Sequence, residues 1–282
     1  MKGGFFLLNG KFHKEDEAVF SLADLPGTME GFSEAFRAEH NEILFPQSIS
    51  KHLLATAATA DADLTGYIDS EGRLLRKDVS RLLNKNKLYL AARIEIRIFP
   101  SDTRLNILLR AEEIEKGYYP IQEPGLLISF APDRLKEIRS TSSYSPTGFF
   151  VRQGARRKAD ESKKQNLILL NTAGYACESL NGSFGYFHEG TVIFPSAGSG
   201  GYRCAILDEV IRCTKDAGFQ IVERDKIEVG ELLHAEEIFL FDACNGIQKV
   251  LGLEEQRYYS TKTLWIAAKL SALARKDREE KI

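Results

Sequence analysis

The stretch that most restricts the fold is LYLAARIEIRIFP, residues 88–100. There Ile94, Ile96 and Ile98 alternate with Arg93, Glu95 and Arg97. A period of two puts the isoleucines on one face of a strand and the charges on the other, so the segment is a β-strand with one face on a core. A second strand follows in RLNILLRAEEI, residues 104–114. Before the pair stand two helical patterns. ISKHLLATAATADADL, residues 49–64, carries apolar residues at helical spacing among good helix formers. SEGRLLRKDVSRLLNKNK, residues 70–87, is a second helix with the Ser70 region as its cap. GGFFLLNGKFH, residues 3–13, reads as a hairpin turning at Asn9-Gly10. TMEGFSEAFRAEHNEILF, residues 28–45, opens as a short helix or strand, turns at Glu39-His40-Asn41 and ends in a strand. Together these make a first α/β unit closing near Gly117.

YYPIQEPG, residues 118–125, has two prolines and a glycine and reads as a connector. Beyond it the pattern resumes. LLISFAP is a strand, and residues 134–161 hold a strand end, a turn and a helix whose charged end, RRKADESKKQN, is solvated. LILLNTAGYACES, residues 167–179, is strand–turn–strand, and YFHEGTVIFP, residues 186–195, is a hairpin. A helix over 202–219 stops at Gly218. Residues 223–250 give a short helix and a strand. The last helix, from Thr261, is amphipathic, with Trp265, Leu264, Ala268 and Leu270 as its packing face. The predicted domains are 1–120 and 125–282.

Composition excludes several classes. In 282 residues the formal net charge is −2, which offers no broad surface for nucleic acid or an anionic membrane. No apolar run is long enough to span a bilayer, and the first residues lack the core and cleavage site of a signal peptide. Four cysteines (Cys177, Cys204, Cys213, Cys244) without a C-x-x-C pair, and five histidines without ligand spacing, predict no metal site. Reduced thiols fit a cytoplasmic protein.

Six fragments, in order, carry a resemblance. They are LNGKF, GFSEAFRAEHNEILF, LILLNTAGYACES, FHEGTVIFP, GYRCAILDEVIRCTKDAGFQIVER and HAEEIFLFDACNGIQKV. Over nearly the whole chain the sequence resembles the class IV, D-amino-acid-aminotransferase-like family of pyridoxal-phosphate enzymes, which includes branched-chain aminotransferases and aminodeoxychorismate lyases. The resemblance implies an α/β (α+β) fold of two domains, a homodimer, an amino or keto acid as substrate, and pyridoxal phosphate as cofactor. That cofactor needs a lysine for its aldehyde, an acid for its pyridine nitrogen, and a phosphate cup of amides, hydroxyls and an arginine.

Set against that pattern, Glu178 stands at the acid. The lysine position falls on Arg139 when aligned from LKEIRS, and on Ser140 or Thr141 when aligned from VRQGARR. An arginine stays protonated and forms no imine, and neither does serine. Lys136 lies upstream as a displaced candidate, on a strand that turns it toward solvent. The phosphate arginine is replaced by Leu53, the cup threonine by Arg203, a second hydroxyl by the Ala243–Cys244 region, an asparagine by Ser183, and an aromatic by Ser33. Gly201, Tyr202 and Arg203, at the end of the glycine-rich SAGSGGYR, remain as cofactor-binding positions or as an anion cradle opening a helix. Three functions stay open. One is a divergent, non-catalytic relative that binds a small anion or serves as a dimeric partner. Another is a working aminotransferase or lyase using Lys136. The third is a different enzyme on the same scaffold.

Overall fold

A computed structural model describes residues 4–19, 31–59, 61–101, 104–139, 141–144 and 149–279. The chain divides into two units, residues 1–118 with 274–282, and residues 119–273.

In the first unit, strands β1 (Phe5–Leu8), β2 (Lys11–Lys14), β3 (Phe32–Glu39), β4 (Glu42–Ile43), β5 (Ala91–Ser101) and β6 (Arg104–Glu113) form one sheet in the order β2-β1-β6-β5-β3-β4. Every neighbouring pair in it is antiparallel. The alternation in β5 does what its period predicts: Ile94, Ile96 and Ile98 are buried. The β1–β2 turn places Asn9 and Gly10 both at positive φ, the geometry a two-residue hairpin demands. Asn9 is also tied across to β6, its Oδ1 accepting from the Ile107 amide at 2.9 Å. The ambiguous segment after Gly31 is a strand.

Helices α1 (Pro46–Ala58) and α2 (Arg73–Asn86) follow the sequence pattern, and α2 packs on β1, β4 and β6. Its cap differs from the Ser70 expectation. Gly72, at φ 72°, precedes the first turn, and Asp69 Oδ1 accepts the Leu74 amide at 3.0 Å. The left-handed glycine bends the chain back so that a carboxylate three residues upstream reaches the orphan amide.

The second unit holds a larger sheet. Its strands are β7 (Leu126–Lys136), β8 (Asn166–Asn171), β9 (Ala176–Ser179), β10 (Ser183–His188), β11 (Thr191–Pro195), β12 (Gln220–Arg224), β13 (Glu237–Asp242), β14 (Gly246–Leu253) and β15 (Gln256–Arg257). The order is β12-β11-β10-β13-β14-β7-β8-β9, with β15 beside β14. Pairs β14–β7, β7–β8 and β11–β12 are parallel. The β7–β8 pair is crossed over by α3 (Phe149–Glu161), the connection a parallel pair requires. β8 is buried on both faces, as its continuous apolar run implies. Residues 223–250 hold α5 (Val229–Leu233) and two strands, β13 and β14, where one strand was expected. The turn between them is residues 243–245, followed by Gly246 at φ 66°, which opens β14.

Helix α4 (Leu207–Asp216) ends at Gly218, φ 86°, as read from the sequence. The last helix, α6 (Thr261–Glu279), runs through the boundary of the two units. Its buried stripe is Thr263, Ile266, Ala267, Leu270 and Ala274, while Trp265 is exposed and meets Phe219 edge-on at 5.9 Å. The packing face is therefore turned from the one expected. Spacings of three and four from Thr263 select it, and Trp265 falls beside it.

Candidate functional site

The site grows from the end of β7. Along a regular strand, position 136 should alternate predictably with its neighbours. The β7–β8 register breaks first: Ala131 pairs with Leu169, but Lys136 pairs with Asn171, so five steps on β7 (131 to 136) face two on β8 (169 to 171). Burial keeps its period of two across the shift, with Leu126, Ile128 and Phe130 buried on the same parity as Lys136. Leu135 emerges 44% exposed and Lys136 only 5%. The expectation that Lys136 faces solvent is thereby corrected.

Inside, Lys136 Nζ forms an ion pair with Glu178 and donates to the Ser142 carbonyl at 3.0 Å. The Tyr202 ring lies 6.0 Å from the amine, within cation–π range. Glu178 sits on β9 opposite Leu169 and is 2% exposed. Its Oε2, the same oxygen that meets Lys136, also accepts the Tyr202 amide at 2.7 Å. A buried charge needs this much compensation. Removing one member of such a pair costs about 3–5 kcal/mol, because the other stays buried and uncompensated.

The segment after β7 folds around the amine. Residues Ser142–Tyr144 make a single 3-10 turn. Ser142 Oγ donates to the Glu137 carbonyl at 2.8 Å and accepts the Arg139 amide at 3.0 Å. Arg139, one of the residues aligned to the family lysine, is turned away: its side chain is 70% exposed and pairs with Glu137. Thr141 contributes its carbonyl to the Tyr144 amide at 3.1 Å. Ser140 lies outside the described residues.

The glycine-rich segment closes the other side, and it is not the open cradle expected. Helix α4 begins at Leu207, several residues beyond Gly201, so no helix N-terminus opens there. The amides are already bonded within the chain. Gly200 donates to the Ala197 carbonyl at 3.2 Å and Arg203 to the Ser143 carbonyl at 2.9 Å. Gly201 donates to Ser199 Oγ at 3.1 Å, and Tyr202 to Glu178. The Arg203 guanidinium makes a bidentate pair with Glu223, at 2.8 and 3.0 Å. A fork–fork pair of this kind leaves it little to offer an anion. Gly201 has a steric role: a Cβ there would lie 1.8 Å from the Cys177 carbonyl oxygen.

Two contributors were not legible in the sequence. Ser183, noted only as a departure from asparagine, is a clip. Its Oγ donates to the Tyr202 carbonyl at 2.7 Å and accepts the Cys204 amide at 3.1 Å. Ser142 acts through its backbone carbonyl, for which no side-chain pattern exists. Leu53 is fully buried in α1, and Ala243 and Cys244 are buried after β13. The four cysteines are free and buried. Burial, with the neighbouring Glu178 charge, pushes the Cys177 thiol well above its ordinary range, and burial pushes Cys213 up to about 11. Neither thiol is poised as a nucleophile. Among the described residues no helix is long and apolar enough to cross a membrane, and no three His, Cys, Asp or Glu residues group as metal ligands.

Comparisons with known proteins put this geometry in context. A family model described as "Amino-transferase class IV" matches residues 31–253. Among solved structures, the branched-chain aminotransferase of the thermophilic archaeon Thermoproteus uzoniensis with norvaline superposes with a TM-score of 0.83 at 17% identity, covering 99% of this chain and 97% of that one. A putative branched-chain amino acid aminotransferase from Thermotoga maritima gives 0.78 at 20%, covering 96% of each chain. The branched-chain amino acid aminotransferase from Escherichia coli gives 0.78 at 15%, covering 94% of this chain and 92% of that one. The search of curated proteins returned no significant match.

Proposed function

Because this chain belongs to the class IV aminotransferase family, we propose that it is a divergent member that does not run pyridoxal-phosphate chemistry and acts by binding, as a homodimeric cytoplasmic partner protein. One observation carries the reading: Lys136 and Glu178 touch. In a working site the lysine holds the aldehyde carbon and the acid holds the ring nitrogen, so a pyridine ring stands between them. As the side chains stand, the two groups meet with nothing between them. The amides expected to cup the phosphate are bonded internally, and the resemblance aligns Leu53 with the arginine. As arranged, these residues do not fit the cofactor. The same bonded amides remove support for a small-anion cradle at Gly201–Arg203, which leaves the partner role.

A second reading has one observation of its own. Lys136 is buried beside the acid that the resemblance assigns to the ring nitrogen, where a displaced Schiff-base lysine of an aminotransferase or lyase acting on an amino or keto acid would stand. One experiment separates the two. Purified protein is mixed with pyridoxal phosphate, its visible absorbance recorded, and the mixture reduced with borohydride and mapped by peptide mass. The first reading expects no absorbing imine and no adduct. A yellow protein with its adduct on Lys136, abolished in Lys136→Ala, overturns it and establishes the second. Light scattering at micromolar concentration checks the dimer.

A further inference from the structure

We infer that Glu178 is a receptor for one protonated nitrogen, which the chain fills itself with the Lys136 ammonium, and that this pair fastens two loops together. The inference deepens the reading above and rests on it for the absence of a competing cofactor. Its own basis is the set of contacts around the amine. A carboxylate, a backbone carbonyl and an aromatic ring converge there from three elements. They are Glu178 on β9, the Ser142 carbonyl at 3.0 Å in the segment after β7, and the Tyr202 ring at 6.0 Å. A carboxylate, a carbonyl and a ring face are the groups by which a primary ammonium is recognised.

The topology gives this cluster a mechanical consequence. Lys136 reaches forward to the 137–144 segment through Ser142, and Glu178 holds the 199–204 segment through the Tyr202 amide at 2.7 Å. The two segments then bond to each other, the Arg203 amide donating to the Ser143 carbonyl at 2.9 Å. Asn171, the partner of Lys136 in the β7–β8 register, adds a bond from its Nδ2 to the Ser199 carbonyl at 2.9 Å. Without the ammonium, Glu178 and the Ser142 carbonyl would both lose the donor they share. The chain supplies that cation from its own strand.

The test is chemical rescue. In Lys136→Ala the side chain is lost and the receptor is left open. The variant's melting temperature should fall on the order of 10 °C, the range expected for breaking one buried pair in a chain of this size. Added n-propylammonium should restore a substantial part of that loss. Tetramethylammonium, which has the charge but no N–H, should not. The double variant Lys136→Ala/Glu178→Gln should not respond to either salt. If Lys136→Ala does not fold alone, the same salts are added during refolding, and recovery of folded protein is read instead.

A Lys136→Ala variant as stable as wild type overturns the inference. So does failure of n-propylammonium to rescue, or equal rescue by tetramethylammonium. None of these readouts involves pyridoxal phosphate. A trappable adduct on wild-type Lys136 would sink the proposed function while leaving the rescue result to stand by itself.

Discussion

At the scale of single residues, the physical content lies in buried polar groups. Each is tolerable only because a partner was placed for it. Lys136 and Glu178 are one solution. His52 in α1 is another. Its ring is buried, and burial lowers its pKa to about 4, so it is neutral in the folded chain near pH 7. Glu34 Oε2 lies 3.8 Å from Nε2, and burial is the cause of the lowered pKa. The sign follows from proton counting. Between about pH 6.5 and 4 the unfolded chain binds a proton on His52 that the folded chain refuses, so stability falls as pH falls through that window. Below about pH 4 both states carry the proton and the loss is complete. The difference is worth about 3 kcal/mol. His52→Gln should flatten that part of the pH dependence. Urea unfolding at several pH values reads it, and an unchanged slope between wild type and variant would refute the assignment.

At the scale of elements, the decisive device is the alternation along β7. Strand residues alternate, and a one-residue change of register sends every later side chain to the other face. Alternation along β7 buries Leu126, Ile128, Phe130 and Lys136 and puts Leu135 and Glu137 outside, and it keeps its parity through the register shift between Ala131 and Lys136. Removing one residue from that span should reverse the outcome. Deleting Leu135 is expected to expose Lys136, separate it from Glu178 and make it reactive. Acylation by a small N-hydroxysuccinimide ester, followed by peptide mapping, measures this. Lys136 should be protected in wild type and modified in the deletion variant. Equal modification of both would mean that strand parity does not control the side chain. Lys136 reads as a solvent-facing residue in the sequence because a lysine is rarely buried unless it is paired. Its partner, Glu178, lies 42 residues away and leaves no local signal.

At the scale of the whole molecule, the chain returns to its first unit at its end. Residues 274–282 belong with residues 1–118, although residues 119–273 form the second unit. Within the first unit, Arg278 donates to the Tyr118 hydroxyl at 2.8 Å, and the Arg275 guanidinium lies 5.4 Å from the Tyr118 ring. Glu39, paired with Arg37, accepts the Gly117 amide at 3.0 Å nearby. Truncation after Leu273 should therefore weaken the first unit selectively. Hydrogen exchange by mass spectrometry should show faster exchange in β3, β5 and β6, with β8 and β13 unchanged. Uniform acceleration across both units, or none, would contradict that.

Periodicity and turn chemistry in the sequence settled which elements form. The isoleucine alternation of β5, the Asn9-Gly10 hairpin, the two-sided apolar run of β8 and the glycine stop of α4 are all written in local spacing. Local spacing is enough because each depends on residues within a few positions of one another. The order of fragments was enough for the family, and Glu178 was legible as a candidate acid from the hairpin around it. The arrangement of the site was not. The Lys136–Glu178 contact spans 42 residues and uses a backbone carbonyl at Ser142 that has no side-chain signature. The glycine segment looked open because sequence shows which residues have free amides to offer, not which acceptors the fold will bring to them. Only the tertiary structure decides that, since a buried donor takes whichever acceptor packing delivers.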